Sequence, residues 1–175
     1  SFSLPVTSSS APYATISSTT VGTPLLLTSG KLYQGGSNLI HVYTPPFTNA
    51  SVPSGSIATP LMAPGRLAVD PNGNVYATTG TTNGIAAIVN GALTTTLTAP
   101  PSTEFRGLAA SSTQLFACET TGSANHVFIY TLPLTANATP AITMNPNVSQ
   151  SADCALDSDG NLYIGGGGSV VEYSP

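Results

Sequence analysis

Short apolar segments separated by tight turns recur along the chain, and Ser, Thr and Asn, rather than charged residues, fill the positions between them. Four stretches repeat one arrangement, in which an apolar strand leads through a turn into a second strand with an aromatic residue. They read PLLLTSGKLYQGG from residue 24, RLAVDPNGNVYATT from residue 66, GLAASSTQLFACET from residue 107 and CALDSDGNLYIGG from residue 154. Short apolar runs bounded by turn residues predict β-strands rather than long helices.

The aromatic residues of these stretches mark the period of a repeat. Tyr33, Tyr76, Phe116 and Tyr163 are separated by 43, 40 and 47 residues. A second landmark keeps the same step, because VYTPPFTNASVP from residue 42 and IYTLPLTANATP from residue 129 are two repeats apart. Four strands in a period of about 40 residues are typical of propeller blades. We therefore predict an all-β fold, a β-propeller with four four-stranded blades.

The second repeat shows the predicted blade most clearly. Residues 67–70 form its inner strand, and the turn PNGN at 71–74 supplies the positive φ that a hairpin needs. Residues 75–78 and 84–89 follow as the second and third strands, and Asn90-Gly91 turns into a fourth strand at 92–98. A sandwich of unrelated hairpins would also have turns, but it does not predict their repetition.

The two ends of the chain complement each other. The last repeat stops after its third strand at 169–173, while residues 12–16 (PYATI) match 140–144 (PAITM) and residues 2–7 match 130–135. We predict one domain, residues 1–175, with repeats at about 24–62, 63–99, 105–146 and 152–175, the last completed by 1–18. The N-terminal strand completes the last blade either within one chain or in the next molecule, which would give head-to-tail polymers. The sequence leaves both closures open.

The segments LAVDPNGNVYATT and CALDSDGNLYIGG resemble NHL-type propeller repeats and the related gluconolactonase-like propellers. The first repeat lacks the Asp-x-x-Gly-Asn turn, and the third has SSTQ at 111–114 in its place. Such propellers usually have about six or seven blades, so four repeats imply either a small ring or half of an eight-bladed dimer. The repeats are also similar to low-charge secreted bacterial proteins built from VYTPPLT and NATP units. Function does not follow from this resemblance.

Charged residues are scarce, with 3 basic and 7 acidic side chains making up 6% of the chain, against about a quarter in an average domain. Three cations cannot neutralise a run of phosphates, so we expect no nucleic-acid partner. No apolar run approaches the roughly 18 residues of a membrane helix, so we expect no membrane insertion. A hydrophobic fraction of 41% argues against disorder.

The few charges converge at one place. Arg66, Arg106 and Asp153 each lie just before the inner strand of a repeat, where the chain opens onto one face of a propeller, and Glu104 and Glu119 are candidates to join them. Two guanidinium groups and a carboxylate there are a candidate site for a carboxylate or a sugar. The alternative is an inter-blade salt bridge or a solvated rim.

Asp157 and Asp159 open a loop of the kind that can bind Ca²⁺, but a calcium site needs several oxygen ligands, and no acidic residue follows before Glu172. The alternative, which we favour, is that Asp and Asn cap the hairpin through local hydrogen bonds. His41 and His126 stand in no metal-binding motif. We therefore expect no cofactor.

Two features favour export, a predicted disulfide and the first residue of the chain. Cys118 and Cys154 are predicted to lie on inner strands of consecutive blades and to form a disulfide, the alternative being two buried free thiols. Sequons occur at Asn49, Asn137 and Asn147, although chance alone gives about three in a chain so rich in Ser and Thr. The chain also begins at Ser1, as a processed mature chain would.

These observations favour a secreted structural or self-assembling surface protein at the cell exterior, whose main partner is itself. The near-neutral surface supports this, because it gives little repulsion between copies. The alternative is an extracellular propeller that binds a glycan or small ligand. A metal-dependent lactonase-like hydrolase ranks third, because no convergent acid–base set is recognisable.

Overall fold

The computed structural model describes residues 25–28, 30–59, 64–79, 84–100, 103–119 and 125–175. Within these ranges the chain is all-β, without a helix, and its fifteen strands form four antiparallel sheets. The first sheet contains β1 (Leu25–Thr28), β2 (Lys31–Gly35), β3 (Leu39–Tyr43) and β4 (Gly55–Ala58). The second contains β5 (Leu67–Val69), β6 (Val75–Thr78), β7 (Gly84–Val89) and β8 (Ala92–Thr98). The third contains β9 (Phe105–Ala110), β10 (Gln114–Glu119), β11 (Val127–Thr131) and β12 (Ile142–Met144). The fourth contains β13 (Ser151–Leu156), β14 (Leu162–Gly166) and β15 (Ser169–Tyr173).

Each sheet is a meander in which successive strands pair side by side. The four landmark aromatics all lie in the second strand of their sheet, and the strands predicted for the second repeat are confirmed to within one residue. The third strand of the last repeat is confirmed at 169–173. The predicted strand at residues 12–16 lies outside the described residues.

Glycine and asparagine shape the hairpins where the backbone must turn sharply. Asn90 and Gly91 have φ of 52° and 76°, the conformation of a two-residue turn whose twist matches the flanking strands β7 and β8. Gly73 and Gly160 have φ of 84° and 87° in the two Asp-x-x-Gly-Asn turns. These residues therefore supply the positive φ that the sequence predicts for the hairpin turns.

The core lies between consecutive sheets rather than at one centre. A cluster between the first and second sheets includes Tyr33 and Ile88, and a cluster between the second and third includes Tyr76 and Tyr130. A third cluster, between the third and fourth sheets, includes Phe116. The second and third sheets thus pack against a neighbour on each face, which is why their inner strands read as nearly continuous apolar runs.

The first strand of each sheet faces a common axis. Contacts join β1 to β5, β5 to β9 and β9 to β13, so the sheets follow one another in chain order. Gly107 in β9 makes the closest of these approaches possible, because a Cβ there would lie 2.6 Å from the Asp153 Cα. We call β1, β5, β9 and β13 the inner strands.

Candidate functional site

The two ends of the inner strands differ in their polar residues. Arg66 lies just before β5, whereas Arg106 and Asp153 lie in the first half of β9 and β13 rather than before these strands as predicted. We call this end of the inner strands the rim. The hairpin turns at 70–74, 111–114 and 157–161 follow the other ends, and we call that end the turn face. Since the ends of all three strands line one cavity, rim and turn face lie on opposite sides of the molecule.

The rim brings the two arginines together. Arg66 donates from Nε to the backbone oxygen of Arg106 across 2.7 Å, which links the second and third sheets. Arg106 pairs with Glu104 at 3.0 Å, and both side chains are about half exposed. Asp153 accepts a hydrogen bond from the Cys154 N–H. The polar groups of the rim are thus partly engaged with one another, and the exposed ion pair there adds little to stability.

A buried carboxylate beside the rim forms a pair that the sequence does not predict. Glu119 ends β10 with a side chain that is 5% exposed, and its Oε2 lies 2.7 Å from Nδ1 of the half-buried His126. Ser151 donates to the Glu119 backbone oxygen across 2.6 Å. The pair forms because β10 and β11 run antiparallel and bring Glu119 and His126 side by side. In the sequence, only the short separation of the two residues indicates this contact.

The two Asp-x-x-Gly-Asn turns have the same hydrogen bonds. Asp70 accepts from the N–H groups of Asn72 and Asn74, both at 2.9 Å, and from Asn74 Nδ2 at 2.8 Å. The hydroxyl of Tyr76 completes the set at 3.4 Å. Each carboxylate oxygen therefore accepts two hydrogen bonds, and the carboxylate holds the turn in place.

Asp157 repeats this arrangement in the fourth sheet. Its partners are the N–H of Asp159, the N–H and Nδ2 of Asn161, all at 2.9 Å, and the Tyr163 hydroxyl at 3.1 Å. These hydrogen bonds, led by that from the Asn161 side chain, hold the pKa of Asp157 below its ordinary value. The local hydrogen bonding that we weighed against calcium binding is present at both turns. Among the described residues, no three His, Cys, Asp or Glu side chains are grouped as metal ligands.

Burial and nearby carboxylates raise the pKa of two tyrosines. Burial, followed by the charge and hydrogen bond of Asp70, raises the pKa of Tyr76 to about 12. Burial, followed by the charge of Glu119, raises the pKa of Tyr130 to about 12. Both phenols are therefore held in the protonated form.

Three cavities lie along the inner strands and the turn face. One of about 250 Å³ is apolar and lies among the inner strands, lined by Leu26 and residues 67–69, 108–110 and 154–156. A second, of about 520 Å³, lies between the three turns. A third, of about 230 Å³, lies at the junction of the second and third sheets and shares Asp70 and Ser112 with the second. The sequence does not reveal these cavities, because each is built by residues from different repeats.

The predicted disulfide is wrong, because Cys118 and Cys154 are free thiols. Cys118 lies in β10, the second strand of its sheet, and not on an inner strand as predicted; only Cys154 is on an inner strand. Both are buried in the cluster between the third and fourth sheets. Hydrogen bonding to Cys118, followed by burial, raises the pKa of the Cys154 thiol well above its ordinary value. The thiols behave as small apolar side chains.

The three sequon asparagines, Asn49, Asn137 and Asn147, are all exposed. Asn49 and Asn137 lie in the loops that lead into the outermost strands β4 and β12, and Asn147 lies between β12 and β13. No helix among the described residues has the length and hydropathy needed to cross a bilayer.

No protein-family model and no characterised protein matches the sequence significantly. A chain in the crystal structure of a mitotic checkpoint complex has a TM-score of 0.63, covers 89% of this chain and is 18% identical. The β-propeller domain of Cps50 (Swd1) from Myceliophteria thermophila has a TM-score of 0.64, covers 87% of this chain and is 10% identical. The chain spans about half the length of both, 50% and 53%. These similarities, together with the successive small antiparallel sheets, show the fold: the chain is built as a β-propeller repeat protein.

Proposed function

We propose that the chain is a secreted structural protein that assembles with copies of itself through its last sheet, with the four sheets acting as four propeller blades. The observation that carries this proposal is the exposed side of the fourth sheet. The second and third sheets pack against a neighbour on each face, and the first sheet packs on the second, which follows it in the chain. We call the face of a sheet that is turned toward the next one in chain order its following face.

Equivalent residues of the second and fourth sheets make the comparison direct. Tyr76 and Ile85 lie on the following face of the second sheet, packed against the third, and are 2% and 0% exposed. Tyr163 and Val170 occupy the same register positions in the fourth sheet. Val170 is 69% exposed there, and Tyr163 is only partly buried. A surface with the residue pattern of a packed face, but without a described neighbour on it, is suited to receive a partner.

The edge of the same sheet offers backbone pairing. In the described residues the fourth sheet has three strands, and β15 is its edge, whereas the other sheets have four. Residues 12–16 match residues 140–144, which contain the outermost strand β12 of the third sheet. We propose that this segment of one molecule adds to β15 of the next, because an open edge strand is a template for such addition. The net charge of −4 opposes association only weakly.

Deleting residues 1–17 tests the assembly. Light scattering and electron microscopy of the full chain are expected to show oligomers or filaments that the truncated chain does not form. A synthetic peptide of residues 1–18 is then expected to bind the truncated chain and cap β15. A full chain that stays monomeric at high concentration, or a peptide without affinity, would refute strand exchange between molecules.

A matched pair of substitutions tests the following face. Val170→Asp places a charge on that face and is expected to abolish assembly without loss of stability, because Val170 is already 69% exposed. Val52→Asp makes the same change at a residue that is 75% exposed in the loop before β4, and it is expected to leave assembly intact. Equal effects of the two would show that added charge, rather than the face itself, controls association.

The repeat type and the location belong to the same proposal. We assign the repeats to the NHL-like and gluconolactonase-like group on the DPNGNVY and DSDGNLY segments, whose turns are built alike at residues 70 and 157. A sparse charge and a surface of Ser and Thr suit a protein outside the cell. Fractionation of native cells is expected to place the protein in the extracellular or surface fraction, and a cytoplasmic location would overturn this part.

A further inference from the structure

We propose that the cavity at the junction of the second and third sheets, on the turn face, binds a neutral carbohydrate unit. This site is distinct from the arginine rim, which lies at the other end of the inner strands. It does not depend on self-assembly, because both sheets that build it belong to one chain.

The cavity has two walls from different repeats. The second sheet contributes the turn at Asp70–Tyr76 together with Ala87, Val89 and Thr94. The third sheet contributes Ser112 and the loop residues 132–134. Its volume of about 230 Å³ is below the roughly 300–1,000 Å³ of cavities for drug-sized ligands, so it suits one ring rather than a larger molecule.

The polar groups at the cavity are available for hydrogen bonding in both directions. In the part of the chain that the structure describes, the Asn72 amide and the Ser112 hydroxyl make no hydrogen bond to protein, and both residues are exposed. Asn74 uses its Nδ2 on Asp70, which leaves its Oδ1 to accept. Amide and hydroxyl groups both donate and accept, as do the hydroxyl groups of a sugar.

The charges around the cavity favour a neutral ligand. No Lys, Arg or His lines it. Asp70 lies behind the polar groups, is 2% exposed and already accepts four hydrogen bonds. An anion would face this carboxylate without a compensating cation, and a cation would find no free lone pair on it.

Apolar atoms form the remaining surface. Val89, Leu132 and Pro133 line the same cavity and offer a C–H-rich surface to the face of a pyranose ring. The neighbouring cavity of about 520 Å³ shares Asp70 and Ser112 and adds the serine hydroxyls at 111 and 158. A ligand of two or three sugar units would therefore continue from the first cavity into the second.

The fourth sheet supplies an internal control. Its turn at 157–161 has the same hydrogen bonds as the turn at 70–74, with Asp159 at the position of Asn72. Asp159 lines neither of the two turn-face cavities, because no described loop stands beside it as residues 132–134 stand beside Asn72. Turn geometry alone therefore does not make the site; the wall from the next sheet does.

The test uses the full-length Val170→Asp chain, which is expected to stay unassembled, ¹⁵N-labelled and titrated separately with maltotriose, cellotriose, xylotriose, mannotriose and triacetylchitotriose. At least one is expected to bind with a Kd of about 1 mM or tighter and to shift the amide signals of residues 72–74 and 112. Asn72→Ala and Ser112→Ala are each expected to weaken that binding about fivefold, the effect of one lost hydrogen bond. Asp159→Ala is expected to leave it unchanged.

Three results would overturn the proposal: no binding by any of the five sugars, signal changes confined to the arginine rim, or equal affinity of the Asn72→Ala variant and the parent chain. Urea unfolding of each variant shows whether it is folded. Because Asn72 and Ser112 are exposed, both variants are expected to keep the parent stability.

Discussion

Replacing Asp70 by alanine removes the acceptor around which the turn between β5 and β6 is built. Four donors lose their partner: two backbone N–H groups, the Asn74 amide and the Tyr76 hydroxyl. The donors differ in their access to water. The backbone groups belong to Asn72, which is exposed, and Asn74, which is partly exposed, whereas Tyr76 is 2% exposed.

The expected loss follows from that difference. Water replaces the carboxylate at the turn, so those hydrogen bonds contribute only their net value. The Tyr76 hydroxyl is left buried without a partner, which costs about 1–3 kcal/mol, and hydrogen bonds to a charged acceptor are worth about 1.5–3 kcal/mol each without being additive. Together we expect Asp70→Ala to lower the free energy of unfolding by about 2–4 kcal/mol, a large part of the roughly 5–15 kcal/mol typical of a domain.

Urea unfolding of the unassembled chain, which lacks residues 1–17, measures this loss by circular dichroism, and Asp157→Ala in the same chain is the matched control. The same four kinds of donor surround Asp157, but this carboxylate is exposed, so water takes its place at every donor. The control is therefore expected to lose clearly less stability than Asp70→Ala. Equal losses, or a loss below about 1 kcal/mol for Asp70→Ala, would show that burial of the carboxylate does not determine how much its hydrogen bonds contribute to stability.

Three further predictions concern the packing and titration of buried groups. Gly107→Ala should cost about 1–3 kcal/mol in urea unfolding, because its Cβ would meet backbone atoms of β13, whereas Gly165→Ala, with open space around it, should cost little. Tyr76 and Tyr130 should ionise near pH 12 by ultraviolet titration. Unfolding lowers both pKa values to about 10, so the contribution of these phenols to the stability of the folded protein is full below pH 10 and is lost as pH rises through 12. Ionisation of all tyrosines near pH 10 in the folded protein would contradict this prediction. Both buried thiols should resist a thiol reagent until urea unfolds the chain, and rapid labelling of the native protein would show that they are accessible.

Local chemistry explains which parts of the fold could be read from the sequence. The strands of the second repeat are bounded by turns that need particular residues, such as Asn90 and Gly91 with their positive φ, so their limits follow from a few neighbouring positions. The repeat period then transfers the same strand order to the other sheets. The edge strand at 169–173 could be predicted for the same reason.

Contacts between repeats could not be read in this way. The repeat alignment gave no distance between Cys118 and Cys154, because that distance depends on how the third sheet packs on the fourth, and the thiols are adjacent without being bonded. The pair of Glu119 and His126 likewise depends on the return of the chain between β10 and β11. Arg66 and Arg106 are linked at the rim, but the backbone oxygen that holds Arg66 has no sequence signal.

The two Asp-x-x-Gly-Asn turns also connect the assembly to the site on the turn face. The carboxylate of Asp70 is buried because the third sheet packs on the following face of the second, and the carboxylate of Asp157 is exposed because no described sheet packs on the fourth. A partner that covers Val170 and Tyr163 would give Asp157 the surroundings of Asp70. Asp157→Ala should therefore destabilise the assembled protein nearly as much as Asp70→Ala does, and the chain lacking residues 1–17 much less. Urea unfolding of both forms measures the difference. The same loss in both forms would mean that the partner binds elsewhere, and that the fourth turn stays in water.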